Sequence, residues 1–223
     1  MNTDSNHTAS ASQTLSSKQE AIVSIGALAA AGDLDRLGSA LEQGLDAGLT
    51  VSDAREILVQ VYAYAGFPRS LNALGELMKV LEARMQRGIQ DAPGRGPSKP
   101  IPKGDALLAA GTANQTSLAG GNVSGPLFDF APQANEYLRT HLFGDIFERD
   151  NLDWQSRELA TAGMLAAMPG VESQLQAHMR ISMNIGLTAA QLRQASQILA
   201  TRVDEDAAER ARKALERQLA GNG

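Results

Sequence analysis

The chain repeats itself, and this restricts its possible folds more than any other sequence feature. A displacement of 138 residues, the separation of Glu20 from Glu158, also lays Gly32 on Gly170, Leu37 on Leu175 and Arg55 on Arg193. The same register superposes Gly48-Leu49-Thr50 on Gly186-Leu187-Thr188 without a gap. Self-similarity at a fixed spacing means that one structural unit occurs twice. The pattern within that unit is helical. Leu34, Leu37, Leu41 and Leu45 recur at spacings of three and four, which sets them on one helix face. Gly48 stops that helix, Thr50 or Ser52 caps the next, and Ile57, Leu58, Val61 and Ala65 form its inner face. The predicted class is all-α, with two helical repeats joined by a long Pro/Gly-rich linker.

Composition sets the boundaries. Residues 1–17, dominated by Ser, Thr, Asn and Ala, predict a disordered tail. The first repeat is expected over 18–87, a linker over 88–126, a connecting helical segment over 127–150 and the second repeat over 151–220. The linker reading rests on "DAPGRGPSKPIPKG", with its four prolines, and on "GTANQTSLAGGNVSG". A net charge of -5 and the lack of a basic face argue against a nucleic-acid partner. The absence of cysteine removes disulfides and every thiolate chemistry. The apolar run from Ala21 to Gly32 is too short to cross a bilayer and has no basic stretch before it. It reads as a buried helix, so no membrane partner and a cytoplasmic location are expected.

In "VYAYAGFPRSLNAL", Gly66 and Pro68 interrupt a helical run just after two tyrosines. With the preceding "LEQGLDAGLTVSDAREILVQ", the residues Glu56, Gln60, Tyr64, Ala65, Gly66 and Pro68 form a recognisable pattern. It resembles the carboxymuconolactone decarboxylase family of the alkylhydroperoxidase-like superfamily. The second half is similar to the same family through "SRELATAGMLAAMPGVESQLQAHMRISMNIGLT". The resemblance implies two alkylhydroperoxidase-like repeats that assemble around pseudo-symmetric interfaces, as a homo-oligomer with a trimer favoured. It also implies a lyase, active without cofactor on a small carboxylated lactone or related oxidised acid, in the setting of aromatic catabolism. Thiol members of the superfamily use Glu, Cys-x-x-Cys and His. Here Gly170 and Ser173 stand where thiols belong, so a thiol peroxidase activity is rejected.

Decarboxylase-type members carry a histidine eight residues before the turn glycine. That position is Ala40 in the first repeat and His178 in the second. Conversely, displacing Glu56, Gln60 and Tyr64 by one repeat gives Gln194, Ile198 and Arg202. Each half has kept a different part of the site. The expectation is a composite site, His178 from one repeat and the segment Glu56–Arg69 from another, within or between subunits.

The catalytic candidates are His178, Glu158 and Glu56; the substrate-binding candidates are Tyr64, Gln60 and Arg69. Histidine exchanges a proton near neutral pH, which suits His178 to proton delivery; a satisfied interface histidine is the plainer reading. Glu158 either orients that imidazole or pairs with Arg157 or Arg180. Glu56, Gln60 and Tyr64 share a helix face that lines either a cavity or a subunit interface. Tyr64 either donates to a lactone oxygen or fills the core, and Arg69 either clamps a carboxylate or is simply exposed. Tyr62 and the methionines Met164, Met168, Met179 and Met183 read as packing. His141 has no evident partner at metal spacing, and neither a metal nor an organic cofactor is expected. A non-catalytic small-molecule binder or assembly protein on the same scaffold is the alternative.

Overall fold

The computed structural model describes residues 13–221, and the regular elements there are all helical. The repeat is visible in its punctuation. α1 (Ser17–Ala31) ends at Gly32 with φ 74°, and α8 (Trp154–Ala167) is followed by Gly170 with φ 87°. α2 (Leu34–Asp46) and α9 (Glu172–Asn184) are followed by Gly48 and Gly186, at φ 95° and 98°. A side chain disfavours this left-handed conformation, so glycine at matched positions turns both halves alike. Thr50 and Thr188 then cap α3 (Val51–Gln60) and α10 (Ala189–Arg202), closing capping boxes with Asp53 and Gln191.

α4 (Tyr62–Gln86) contains the interruption expected at "YAGFP". Gly66 adopts φ 82° and ψ 162°, separating a single turn from the long run 67–86. Pro68 falls in the first turn of that run, where its missing N–H leaves no helical hydrogen bond unmade. The amphipathic α11 (Glu205–Ala220) closes the second repeat against α9 and α10.

The two repeats share one core. α1 and α8 cross so closely that a Cβ on Gly26 would stand 2.5 Å from the carbonyl oxygen of Ala160. Gly163 approaches the Val23 carbonyl in the same way, from the opposite helix. Around this crossing Ile22, Leu28, Leu41, Ile57, Leu159, Leu175 and Leu199 form a single cluster, each contributing about 1.5–3 kcal/mol by burial. Among the described residues no helix is long and apolar enough to cross a membrane.

The stretch read as linker is more ordered than its composition implies. The carbonyls of Ala92 and Pro93 accept hydrogen bonds from the N–H groups of Val51 and Ser52 at 2.9 and 3.1 Å, covering the start of α3. Residues Asp105–Ala119 then form α5, with Leu107 and Leu118 buried against the π-helix of Leu138–Ile146. Small polar residues hid a proline-free helix in which only two of the three leucines are buried. The connecting segment holds α6 (Pro126–Phe130) and α7 (Pro132–Tyr137) before that π-helix. Of the expected disordered tail, residues 1–12 lie outside the described residues. The rest is held down: Leu15 is buried and donates its N–H to Gln194 Oε1 at 2.7 Å, and Ser16 caps α1.

Candidate active site

Glu56 and Gln60 lie one turn apart on α3 and both point into the interface between the repeats. Arg149 grips both oxygens of Glu56, at 2.7 to 3.1 Å, and Arg157 Nη2 reaches Oε2 at 3.0 Å. Burial opposes the charge on Glu56, but Arg149, Asn151 and Arg157 outweigh it and hold its carboxyl down at about 2. Arg157 is wholly buried, and burial lowers its own pKa. It also donates to the Arg149 carbonyl at 2.9 Å and to Gln60 Oε1 at 3.3 Å. The Gln60 amide donates in turn to the Arg157 carbonyl and, at 2.7 Å, to Thr161 Oγ.

Thr161 carries the chain of polar contacts to Tyr64, whose hydroxyl accepts from it at 3.2 Å. The edge of the Tyr64 ring meets the His178 imidazole, centroids 5.7 Å apart at 77°. His178 Nδ1 lies 2.8 Å from Glu158 Oε2. Glu158 is fully buried, and its other oxygen has no partner among the described residues. Adjacent residues on a helix diverge by about 100°, so Arg157 reaches Glu56 while Glu158 reaches His178. A carboxylate accepts from Nδ1–H, which leaves Nε2 of His178 as the free nitrogen. His178 keeps 8% of its surface exposed. Burial first, and then the charge of Glu158, push the Tyr64 hydroxyl above its ordinary range. The phenol therefore stays protonated and keeps its own hydrogen to donate.

Histidine eight residues before a turn glycine, a carboxylate behind it and a Tyr-Ala-Gly-x-Pro wall thus meet inside one chain. The profile of the Carboxymuconolactone decarboxylase family matches residues 2–78 and 132–217, one segment for each repeat. The chain belongs to the carboxymuconolactone decarboxylase family. No curated protein matches it.

Of the six candidate residues in this family member, five converge: Glu56, Gln60, Tyr64, Glu158 and His178 belong to one buried network. Arg69 does not join it. Its exposed guanidinium lies over Gly32, and it makes no ion pair among the described residues. Neither His178 nor Tyr64 lines any of the five most prominent clefts among the described residues.

Two residues central to the network, Arg149 and Thr161, carried no signal in the sequence, and Arg157, a possible partner of Glu158 there, pairs with Glu56 instead. Arg149 comes from the irregular segment before α8, and Arg157 and Thr161 are ordinary helix residues until the crossing of α3, α4 and α8 gives them partners. His141, expected to have no carboxylate partner, has one four residues on, with Nδ1 2.8 Å from Asp145 Oδ2, and its Nε2 accepts from the Tyr62 hydroxyl. Tyr62 does pack, stacked on Phe67 with ring centroids 4.6 Å apart, but its hydroxyl is committed to this second, more exposed triad. The four-residue spacing of His141 and Asp145 is legible in the sequence, whereas the approach of Tyr62 from the first repeat is not.

Proposed function

We propose that this protein is a cofactor-free lyase of carboxymuconolactone decarboxylase type, acting on a small carboxylated lactone or related oxidised acid. The observation that carries the reading is the Glu158–His178 pair beneath Tyr64. In the reaction the bond to a substrate carboxylate breaks, carbon dioxide leaves, and the electron pair spreads into the conjugated lactone as an enolate. Protonated His178 delivers the Nε2 proton to carbon, while Glu158 holds Nδ1 and so aims the ring. The Tyr64 hydroxyl donates to the oxygen on which charge accumulates. Glu56 and Gln60 act as positioning residues: both are saturated by Arg149, Arg157 and Thr161, and they fix α8 against α3 and α4. Arg69, outside this network, has its guanidinium free for a substrate carboxylate arriving from solvent.

The active form is a homo-oligomer. Supporting this, Phe67, Leu71, Met78 and Met85 are exposed on α4, and Leu74 and Leu81 complete a four-three spacing along that face. This face starts one turn after Tyr64, so a second copy seated on it would complete the walls around His178. Mass measurement in solution tests the assembly, with a trimer expected.

The chemistry is tested by following loss of 4-carboxymuconolactone. Wild type should turn it over, and His178→Ala should lower kcat about 10²–10⁴-fold while the circular dichroism is unchanged. No turnover by the folded wild type removes the reaction, and an unchanged rate in His178→Ala removes the proton donor.

A further inference from the structure

The displacement that relates the repeats also maps the His178 site onto a second place in the same molecule. Glu158 falls on Glu20, His178 on Ala40, Glu56 on Gln194 and Tyr64 on Arg202. The structure assembles these four counterparts as well. Arg202 Nη2 lies 2.9 Å from Glu20 Oε2, and the Gln194 amide donates to Glu20 Oε1 at 2.7 Å. Ala40 and Arg202 then line one cleft of about 240 Å³. In the other half an imidazole stands over the buried carboxylate. Here Ala40 leaves that space open.

The lining of the cleft has changed its chemistry. Its charged lining residues are Arg36 and Arg202, both cations. Arg36 is fixed in place, donating to the Val203 carbonyl at 2.5 Å and to Asp33 at 2.6 Å. Arg202 commits one nitrogen to Glu20 and keeps its other N–H groups unpaired among the described residues. Ser39 and Gln43, one turn apart on α2, line the same cleft, and their side chains have no partner among the described residues. Two guanidinium groups, a hydroxyl and an amide thus line one space, and the carboxylates that pair with the arginines, Asp33 and Glu20, lie behind them and outside the lining. A group of donors in that arrangement suits a small anion with several oxygens. The lining also holds no histidine, so nothing equivalent to His178 can pass a proton.

We propose that this cleft is a non-catalytic binding site for a small organic di- or tricarboxylate, held by Arg202 and Arg36 with Ser39 and Gln43. It lies where the first repeat has Ala40 at the position matching His178 and the second has Arg202 at the position matching Tyr64. The site stands apart from the lyase chemistry and does not require it.

Succinate and citrate serve as probes, titrated at constant ionic strength into isotope-labelled full-length protein and followed by amide NMR. The expected result is a saturable shift of resonances from Arg36 to Gln43 and around Arg202 with at least one acid, and none with neutral succinamide. Arg202→Gln should weaken binding roughly tenfold or more, because a charge-assisted pair is lost. Ala40→Phe should abolish binding by filling the cleft, while the dispersion of its spectrum shows that the fold survives. The proposal is overturned if neither acid gives a saturable shift, or if binding survives both substitutions. It is equally overturned if the shifts centre on Tyr64, Glu158 and His178 instead.

Discussion

Glu20 and Glu158 occupy the same position in the two repeats, one on each of the helices that cross at the centre of the molecule, yet their surroundings differ. Glu158 is fully buried and faces His178, with one oxygen left over. Glu20 is only partly buried, and both its oxygens are taken, one by Arg202 and one by Gln194. The next pair differs in the opposite sense. Glu56 is locked between two arginines, whereas its counterpart Gln194 is a neutral bridge from Glu20 to the backbone of Leu15. Duplication supplied two copies of one scaffold. Divergence then placed the buried charges and the histidine around one of them and left the other with a polar cleft. The same scaffold therefore carries two different polar arrangements, one around His178 and one around Arg202.

The comparison should break first at Glu56. Glu56→Gln leaves Arg157 buried without its carboxylate, which should cost about 3–5 kcal/mol of stability. Gln194→Ala should cost about 1 kcal/mol, the net value of an ordinary hydrogen bond. Urea denaturation of both variants measures the contrast, and equal losses would mean that the halves are no different in this respect.

Acid provides the next test. The Glu56 carboxyl is held at about 2 against an ordinary 4.5, so its folded pKa is depressed. Its stabilisation, roughly 3 kcal/mol, is complete above 4.5 and is lost as pH falls from there through about 2. The Glu56→Gln variant should lack that part of the acid sensitivity, and the urea midpoint followed against pH would reveal it.

Gly66 has no equivalent in the second repeat, where the corresponding helix ends before α11. With φ at 82°, Gly66→Ala should lower stability by about 1–2 kcal/mol. It should also weaken the proposed turnover, because the turn follows Tyr64 by two residues and sets how its ring meets His178. The smallest stability changes are expected for the two equivalent glutamates, and there the sharpest contrast lies in activity. Glu20→Gln, which removes a partly exposed ion pair, should change stability by no more than about 1 kcal/mol and leave turnover untouched. Glu158→Gln should keep the fold but lower kcat, since the imidazole loses the carboxylate that holds Nδ1. Paired kinetics on the two variants decide whether the repeats are as unequal as their contacts.

Much of this was legible in the chain itself. The glycines at 32, 48, 170 and 186 and the caps at Thr50 and Thr188 announce their turns because left-handed backbone and unpaired N–H groups impose local demands. The apolar spacings marked the helices, and the repeat register predicted that His178 and the Glu56–Tyr64 face are complementary halves. The helix at Asp105–Ala119 was missed because its burial depends on the π-helix it meets, not on its own pattern.

The sequence alone therefore determined the helices of the two repeats, their duplication and the residue types present for chemistry. Only the tertiary structure decided who meets whom. Glu158 had two arginines and a histidine as plausible partners, and the approach of α8 to α9 chose the histidine. The same helix turned Arg157 towards Glu56, and the loop before it supplied Arg149. Helical periodicity says which residues share a face, because that is a property of a few neighbouring dihedrals. What lies across from the face depends on how closely helices cross, and here that is set by backbone contact at Gly26 and Gly163, far along the chain from one another.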